Sequence, residues 1–252
     1  MAWTGRYEAA EPQRVNKWLG QSGVCSRREA EDFIARGLVS IDGETVTDTG
    51  RKILPGQTLT LADGGGPAAL SVVLHKPMGV VSAQPESGQI PAVRLLTRPA
   101  LVGDSPAIPD RDTRLAPLGR LDMDSRGLLL LSDDGVLAKA IIGPESDLEK
   151  EYLVRVTGRI TPEKIARLCH GLSMDGRQLK PASVSVVEGQ ELRFILKEGR
   201  NRQIRRMCEL VGLHVMDLVR IRIGTLRLGD LEEGRWRVLG DHERAMLVSP
   251  PV

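Results

Sequence analysis

The run Asp63-Gly64-Gly65-Gly66-Pro67 limits the architecture more than any other feature of the chain. Consecutive glycines lose the most backbone entropy on ordering, and the proline that closes them has no amide hydrogen. Neither a helix nor a central strand is expected to continue through such a segment. The expectation is therefore two folded units, residues 1–63 and residues 64–252, joined at this run.

Upstream of the break, Val15, Trp18 and Leu19, and then Ala30, Phe33 and Ile34, fall at helical spacing. Ser26 before Arg27-Arg28-Glu29 has the form of a capping box, so two short helices are expected. After Gly37 the stretch from Leu38 to Val46 alternates and turns at Asp42-Gly43, the strongest short hairpin signal, with a further turn at Pro55-Gly56. The first unit reads as a helix-helix-hairpin module of roughly 50 residues, at the small end of what folds alone.

Downstream, strands are expected at residues 71–74, 80–82 and 152–156, the last ended by Thr157-Gly158. Helices are expected at residues 135–142, 162–170 and 202–211; in the last, Ile204, Met207, Cys208 and Val211 share an apolar face. A strand over residues 218–223 alternates apolar and basic side chains. Strands and helices do not alternate strictly, so the prediction is an α+β fold with a mixed, mainly antiparallel sheet. The proline-rich and aspartate-rich stretch from Arg98 to Pro117 is expected to be a surface loop ahead of the site.

With 252 residues and 41% hydrophobic content the chain can bury a substantial core. A net charge of +2 says little, but from Lys197 to Arg227 eight basic residues face three acidic ones, a plausible contact for a polyanion or an ordinary solvated face. Cys25, Cys169 and Cys208 are unclustered, and the four histidines lack metal-ligand spacing. Structural thiols and no metal are expected. No apolar run is long enough to span a bilayer and the first residues carry no apolar signal core, so a cytoplasmic protein without a membrane partner is expected.

The densest chemistry lies in Gly119-Arg120-Leu121-Asp122-Met123-Asp124-Ser125-Arg126-Gly127-Leu128-Leu129-Leu130-Leu131-Ser132-Asp133-Asp134-Gly135, a charged, glycine-bounded loop running into a buried strand. Read alone, aspartates before a strand are turn formers or caps more often than reactive groups. As a whole, however, the stretch resembles the active-site signature of one branch of the ribosomal pseudouridine synthases. That branch holds the A-type enzymes of the small ribosomal subunit, together with the B-, E- and F-type enzymes of the large one, and the F-type is the most similar. The runs from His75 to Ser82, from Glu149 to Val154 and from Glu198 to Met207 agree with that family in order. Upstream, the runs 14–19, 22–30 and 37–43 resemble an S4 RNA-binding module.

The resemblance implies an enzyme that breaks the bond from N1 of uracil to C1′ of the ribose, turns the base, and joins C5 to C1′. No redox change, hydrolysis, cofactor or metal is needed. Asp122 is implied as the catalytic carboxylate, attacking sugar or base or abstracting a sugar proton. Arg205 is implied as the cation that keeps it ionised, Tyr152 as the aromatic that stacks on the uracil, and Arg120 as the side chain that replaces the extruded base. Leu218 and Ile221 are expected to floor the pocket or to serve as plain core. Arg14, Lys17, Arg27, Arg28 and Arg36 on the S4-like module, and Lys76, Arg200, Arg202 and Arg206 on the second unit, are expected to contact RNA.

The implied partner is large-subunit ribosomal RNA, with a transfer RNA anticodon loop as a second candidate, and a monomer is expected. Two other classes compete. Leu121-Asp122-Met123-Asp124-Ser125 matches the D-x-D of a magnesium-dependent phosphatase, although no hydrophobic strand precedes it. A noncatalytic S4-type ribosome-assembly protein would account for the first unit alone.

Overall fold

A computed structural model describes residues 2–249 except 23, 26, 63–69, 111, 112 and 114. The break at residues 63–67 and the Ser26 cap therefore lie outside the described residues. The chain divides into two compact units, residues 1–69 with 134–139, and residues 70–133 with 140–252.

In the first unit, helices α1 (Val15–Gln21) and α2 (Arg27–Ala35) accompany four short strands, β1 (Trp3–Arg6), β2 (Val39–Ile41), β3 (Glu44–Thr45) and β4 (Thr58–Leu61). The strands lie antiparallel in the order β1-β4-β2-β3. The turn from β2 to β3 places Asp42 and Gly43 at φ 49° and 88°, the left-handed pair that matches strand twist in a two-residue hairpin. Val15, Leu19, Ile34, Ile53 and Leu59 are fully enclosed. Burial of such side chains contributes roughly 1.5–3 kcal/mol each before chain entropy is subtracted. Strand β1 falls outside the expected elements; its Trp3 meets Trp18 edge-on at 5.5 Å.

The second unit is built on a nine-stranded sheet. Its main strands are β5 (Ser71–Lys76), β6 (Arg126–Ser132), β7 (Lys150–Thr157), β8 (Ser183–Glu188), β9 (Glu191–Leu196), β10 (His214–Ile223) and β11 (Trp236–Val238). They lie in the order β8-β9-β7-β10-β6-β5-β11, antiparallel except for the β6–β10 pair. Leu128 to Leu131 on β6 and Val72 to Leu74 on β5 are enclosed on both sides. This is why those strands read as unbroken apolar runs rather than alternating ones.

Helices α3 (Gly135–Ile142), α4 (Pro162–Cys169), α5 (Gln203–Leu210) and α6 (Asp241–Val248) complete the chain. Asp134 opens α3 by accepting the amides of Val136 and Leu137 at 2.9 and 3.0 Å. Pro162 occupies the first turn of α4, where the missing amide hydrogen costs nothing. The β8–β9 hairpin and α6 lie outside the sequence expectations. The stretch from Arg98 to Pro117 also departs from a plain surface loop, since Leu101, Ile108 and Leu115 pack on the core and Leu101 bridges to Trp236. Cys25 and Cys208 are buried, and burial pushes both thiols up to about 12, which keeps them protonated and inert. No helix among the described residues is long and apolar enough to cross a membrane.

Candidate active site

The loop between Gly119 and Arg126 is pinned from several sides. Ser82, buried on the run that follows β5, donates to the carbonyl of Leu121 at 2.6 Å and accepts its amide at 2.8 Å. The amide of Gly79 bonds to the carbonyl of Met123 at 2.8 Å, and the amide of Ser125 to that of Asp122 at 3.1 Å. Arg220 donates to the carbonyl of Gly119 at 2.8 Å, and Arg205 to that of Asp124 at 2.6 Å. These bonds explain why the distant runs 75–82 and 198–207 accompany the aspartate motif: they build its backbone.

The loop forms one wall of a cavity of about 410 Å³. Asp122 lines it, with a side chain about one-third exposed (34%). The floor comes from the sheet: Lys150 and Tyr152 on β7 and Leu218 and Arg220 on β10 also line it. Tyr152 and Arg220 stand directly opposite each other in the β7–β10 ladder, so their side chains share a face. Arg120 lines the mouth and is exposed, and it enters no ion pair among the described residues.

The expected pairing of Arg205 with Asp122 is corrected. Arg205 is only 8% exposed, and its Nε lies 3.3 Å from Oδ2 of Asp124. The arginine beside Asp122 is Arg202, with Nη1 3.8 Å from Oδ2. Arg202 precedes α5 with φ 50° and ψ 31°, a left-handed conformation that costs free energy in a non-glycine residue. From there its guanidinium makes two hydrogen bonds to Asp124, of 3.1 and 2.9 Å, and reaches Asp122. Asp124, expected as a plain loop residue, is the hub that holds both arginines. Burial pushes its carboxyl up, but the Arg202 hydrogen bonds and the charges of Arg205 and Arg202 outweigh burial and hold it below the ordinary carboxylate range.

Lys76 is also corrected, from an RNA contact to an interior cation. It is 0% exposed, its ammonium donates to the carbonyl of Pro77 at 2.8 Å, and burial lowers its pKa to about 8 against the pull of Asp122, Asp124 and Glu233. So enclosed, it presents no surface to a phosphate, and Asp122 is the foremost carboxylate acting on it.

Ile221 does not line the cavity. A register shift in the β7–β10 ladder pairs Tyr152 with Arg220 and Glu151 with Arg222, leaving Ile221 as the bulged residue. Leu218 remains in the floor, 5% exposed.

The basic run is not one continuous patch. Arg206 turns to Asp175 at 2.7 and 3.0 Å, Arg222 to Glu151 and Glu149, and Arg200 to Glu198 and the carbonyls of Met174 and Gln178. Arg206 is outside the cavity lining, whereas Arg200 and Arg202 border it. In the first unit, Arg14, Lys17, Arg27, Arg28 and Arg36 are all exposed, opposite in character to the enclosed Val15, Leu19, Ala30 and Ile34. Sequence reasoning missed Lys150 and Arg220 in the floor; their alternation with Tyr152 and Leu218 on paired strands was the available signal. No group of three or more potential metal ligands occurs among the described residues.

Comparison with known proteins identifies the family. Residues 71–210 match the family model described as RNA pseudouridylate synthase, and residues 13–59 match the S4 domain. The chain is 34% identical over 241 residues to an "Uncharacterized RNA pseudouridine synthase" of Aquifex aeolicus, covering 93% of each. It is 34% identical over 235 residues to the "Dual-specificity RNA pseudouridine synthase RluF" of Escherichia coli K12, covering 91% of this chain and 76% of that one. A solved structure, "Crystal structure of pseudouridylate synthase", superposes with a TM-score of 0.65 at 27% identity, over 93% of this chain and 99% of that one. The chain is a member of the RNA pseudouridine synthase family, an isomerase carrying an S4 domain ahead of its catalytic fold.

Proposed function

We propose that this enzyme converts a uridine of large-subunit ribosomal RNA to pseudouridine with Asp122 as its catalytic carboxylate, acting as a cytoplasmic monomer and taking a transfer RNA anticodon loop as a second substrate. The observation that carries the site assignment is the placement of Asp122 in one cavity with Tyr152 and Leu218, with Arg202 at 3.8 Å. Asp122 is the carboxylate of that wall, and Arg202 lies beside it. Tyr152 supplies a flat apolar surface for a uracil, and Leu218 closes the floor beside it. The target uridine leaves its stack at a cost of a few kcal/mol, and exposed Arg120 at the mouth is suited to fill the gap. Arg14, Lys17, Arg27, Arg28 and Arg36 supply phosphate contacts that carry no sequence information of their own.

The RNA assignment is supported by the relatives, which are named as RNA pseudouridine synthases, one of them dual-specific. The test incubates the purified protein with ribosomal and transfer RNA from cells that lack it and maps pseudouridines at single-nucleotide resolution. One or more uridines in large-subunit RNA should convert, and Asp122→Asn should bind the same RNA without converting it. Turnover by Asp122→Asn removes the catalytic assignment; conversion only in other RNAs removes the substrate.

A further inference from the structure

Two cations stand in the floor of the cavity without a carboxylate against them. Lys150 is 8% exposed and Arg220 1%, and neither enters an ion pair among the described residues. Their bonds go to carbonyls: Arg220 to Leu128 and Gly119, both at 2.8 Å, and Lys150 to Leu148 at 3.2 Å and Ile141 at 3.5 Å. Such dipoles orient the side chains but do not cancel their charge. Other largely buried arginines of this unit are matched, Arg205 by Asp124 and Arg222 by Glu151. A buried charge left unpaired is costly, so two together facing a cavity mark a place where a ligand supplies the anion.

Position narrows the ligand. Arg220 is the cross-strand partner of Tyr152, and Lys150 precedes Tyr152 by two residues on the same strand face. A flat base lying on the Tyr152 ring therefore has these two cations along its edges. The exposed cations Arg120, Lys180 and Lys197 border the same cavity and are the ones open to a backbone phosphate. Burial, with the charges of Arg220 and Lys180, lowers the pKa of Lys150, a penalty that an arriving anion relieves.

The reaction creates such an anion. When the N1–C1′ bond breaks, its electron pair stays with the base, and negative charge spreads over N1, O2, O4 and C5. C1′ is then either bonded to the Asp122 carboxylate or left unsaturated after its C2′ proton passes to that carboxylate. C5 subsequently bonds to C1′ as the bond to Asp122 breaks, or as the carboxylate returns its proton to C2′; the proton on C5 departs and N1 takes one up, so the atoms of uridine are all retained. We propose that Lys150 and Arg220 hold the detached uracil as its anion between these two bond changes, stabilising the charge as it develops and keeping the base in the cavity while it turns. This assignment rests on the reading of the chain as a uridine isomerase.

The test uses the full-length protein and an RNA that it converts, prepared with uridine or 6-azauridine at the target. A ring nitrogen in place of C6–H lets the detached aza base carry negative charge more readily. Lys150→Met is expected to lower kcat on the uridine RNA about 100-fold with KM changed by less than about threefold, the size of effect typical of a lost transition-state donor. Lys150→Arg should recover about tenfold or more, and the Lys150→Met deficit should shrink about tenfold on the 6-azauridine RNA. Equal deficits on both RNAs, or a loss confined to KM and its salt dependence as a phosphate contact would give, overturn the assignment. The unmutated protein provides a second measurement, calorimetric titration with free 6-azauracil. Binding should tighten as pH rises through the ionisation of that base, and binding that does not tighten counts against the site. Conversion of uridine by the unmutated protein is followed in parallel, so failure of the isomerase reading shows separately from failure of this assignment.

Discussion

Gly127 and Arg220 are cross-strand neighbours in the parallel β6–β10 pair, so close that a Cβ on Gly127 would lie 2.4 Å from the carbonyl oxygen of Arg220 and 2.6 Å from its amide nitrogen. Gly127 also has φ 110°, which L side chains rarely adopt. Its partner across the other edge of β6 is Lys76. Gly127→Ala is expected to destabilise the protein by about 3 kcal/mol or more, because backbone cannot move aside as a flexible side chain can. Denaturant unfolding checks this, and a destabilisation below about 1 kcal/mol would contradict so close an approach.

Asp124 should matter for acid stability. Its folded pKa is depressed, so its contribution is present above the unfolded carboxylate value of 3.8 and is lost as pH falls through the folded one. Asp124→Asn should flatten the acid limb of the stability curve. It should also lower turnover about tenfold or more by freeing Arg202 and Arg205, whose positions depend on this carboxylate. Melting temperatures from pH 3 to pH 7, with turnover at pH 7, read both effects.

Lys76 has the same sign of linkage in an alkaline window, but its charge opposes folding at neutral pH. Burial lowers its pKa from 10.5 to about 8, so the unfolded chain binds more protons than the folded one between those values, and stability rises with pH across that window. Lys76→Met should remove this rise and raise stability at neutral pH by about 1–3 kcal/mol, while turnover falls because Asp122 loses a nearby positive charge. Unfolding measured at pH 7.5 and pH 10 in the two proteins decides it; parallel curves would refute the interior-cation reading.

Arg27 and Arg28 are exposed at the start of α2, and their joint replacement by alanine should weaken RNA binding more at low salt than at high salt. The slope of log affinity against log salt should shrink by about 0.7–0.9 for each phosphate no longer neutralised, with kcat unchanged at saturating RNA. An unaltered slope would exclude these side chains from the RNA face.

Arg206 offers an internal control. It adjoins Arg205 in sequence but lies outside the cavity lining and pairs with exposed Asp175. Arg206→Ala should leave kcat within about twofold, whereas Arg202→Ala should lower it about 100-fold by removing the cation nearest Asp122. Side-by-side kinetics separate the two.

Periodicity made much of this fold readable in the chain itself. The helices over residues 135–142 and 162–169, the strand that carries Tyr152 and the turn at Asp42-Gly43 follow from side-chain spacing and caps that are local in sequence. The β8–β9 hairpin and β1 escaped because they carried no comparably strong signal, and strands are defined by the partners they pair with. The aspartate motif likewise marked its own loop, since a long contiguous signature holds its meaning without coordinates. Which cation meets which carboxylate could not be read that way. Arg202, Arg205 and Arg206 are equivalent as letters, and their different partners depend on one left-handed residue ahead of α5 and on how that helix meets a loop some 80 positions away, as the separation of Arg205 and Asp124 shows. Burial of Lys76, Lys150 and Arg220 and the bulge at Ile221 arise from strand register, a relation between remote segments. Local physics writes helices, turns and a reactive loop into neighbouring residues; ion pairing and enclosure are set by long-range packing, because electrostatic partners are chosen by distance in space.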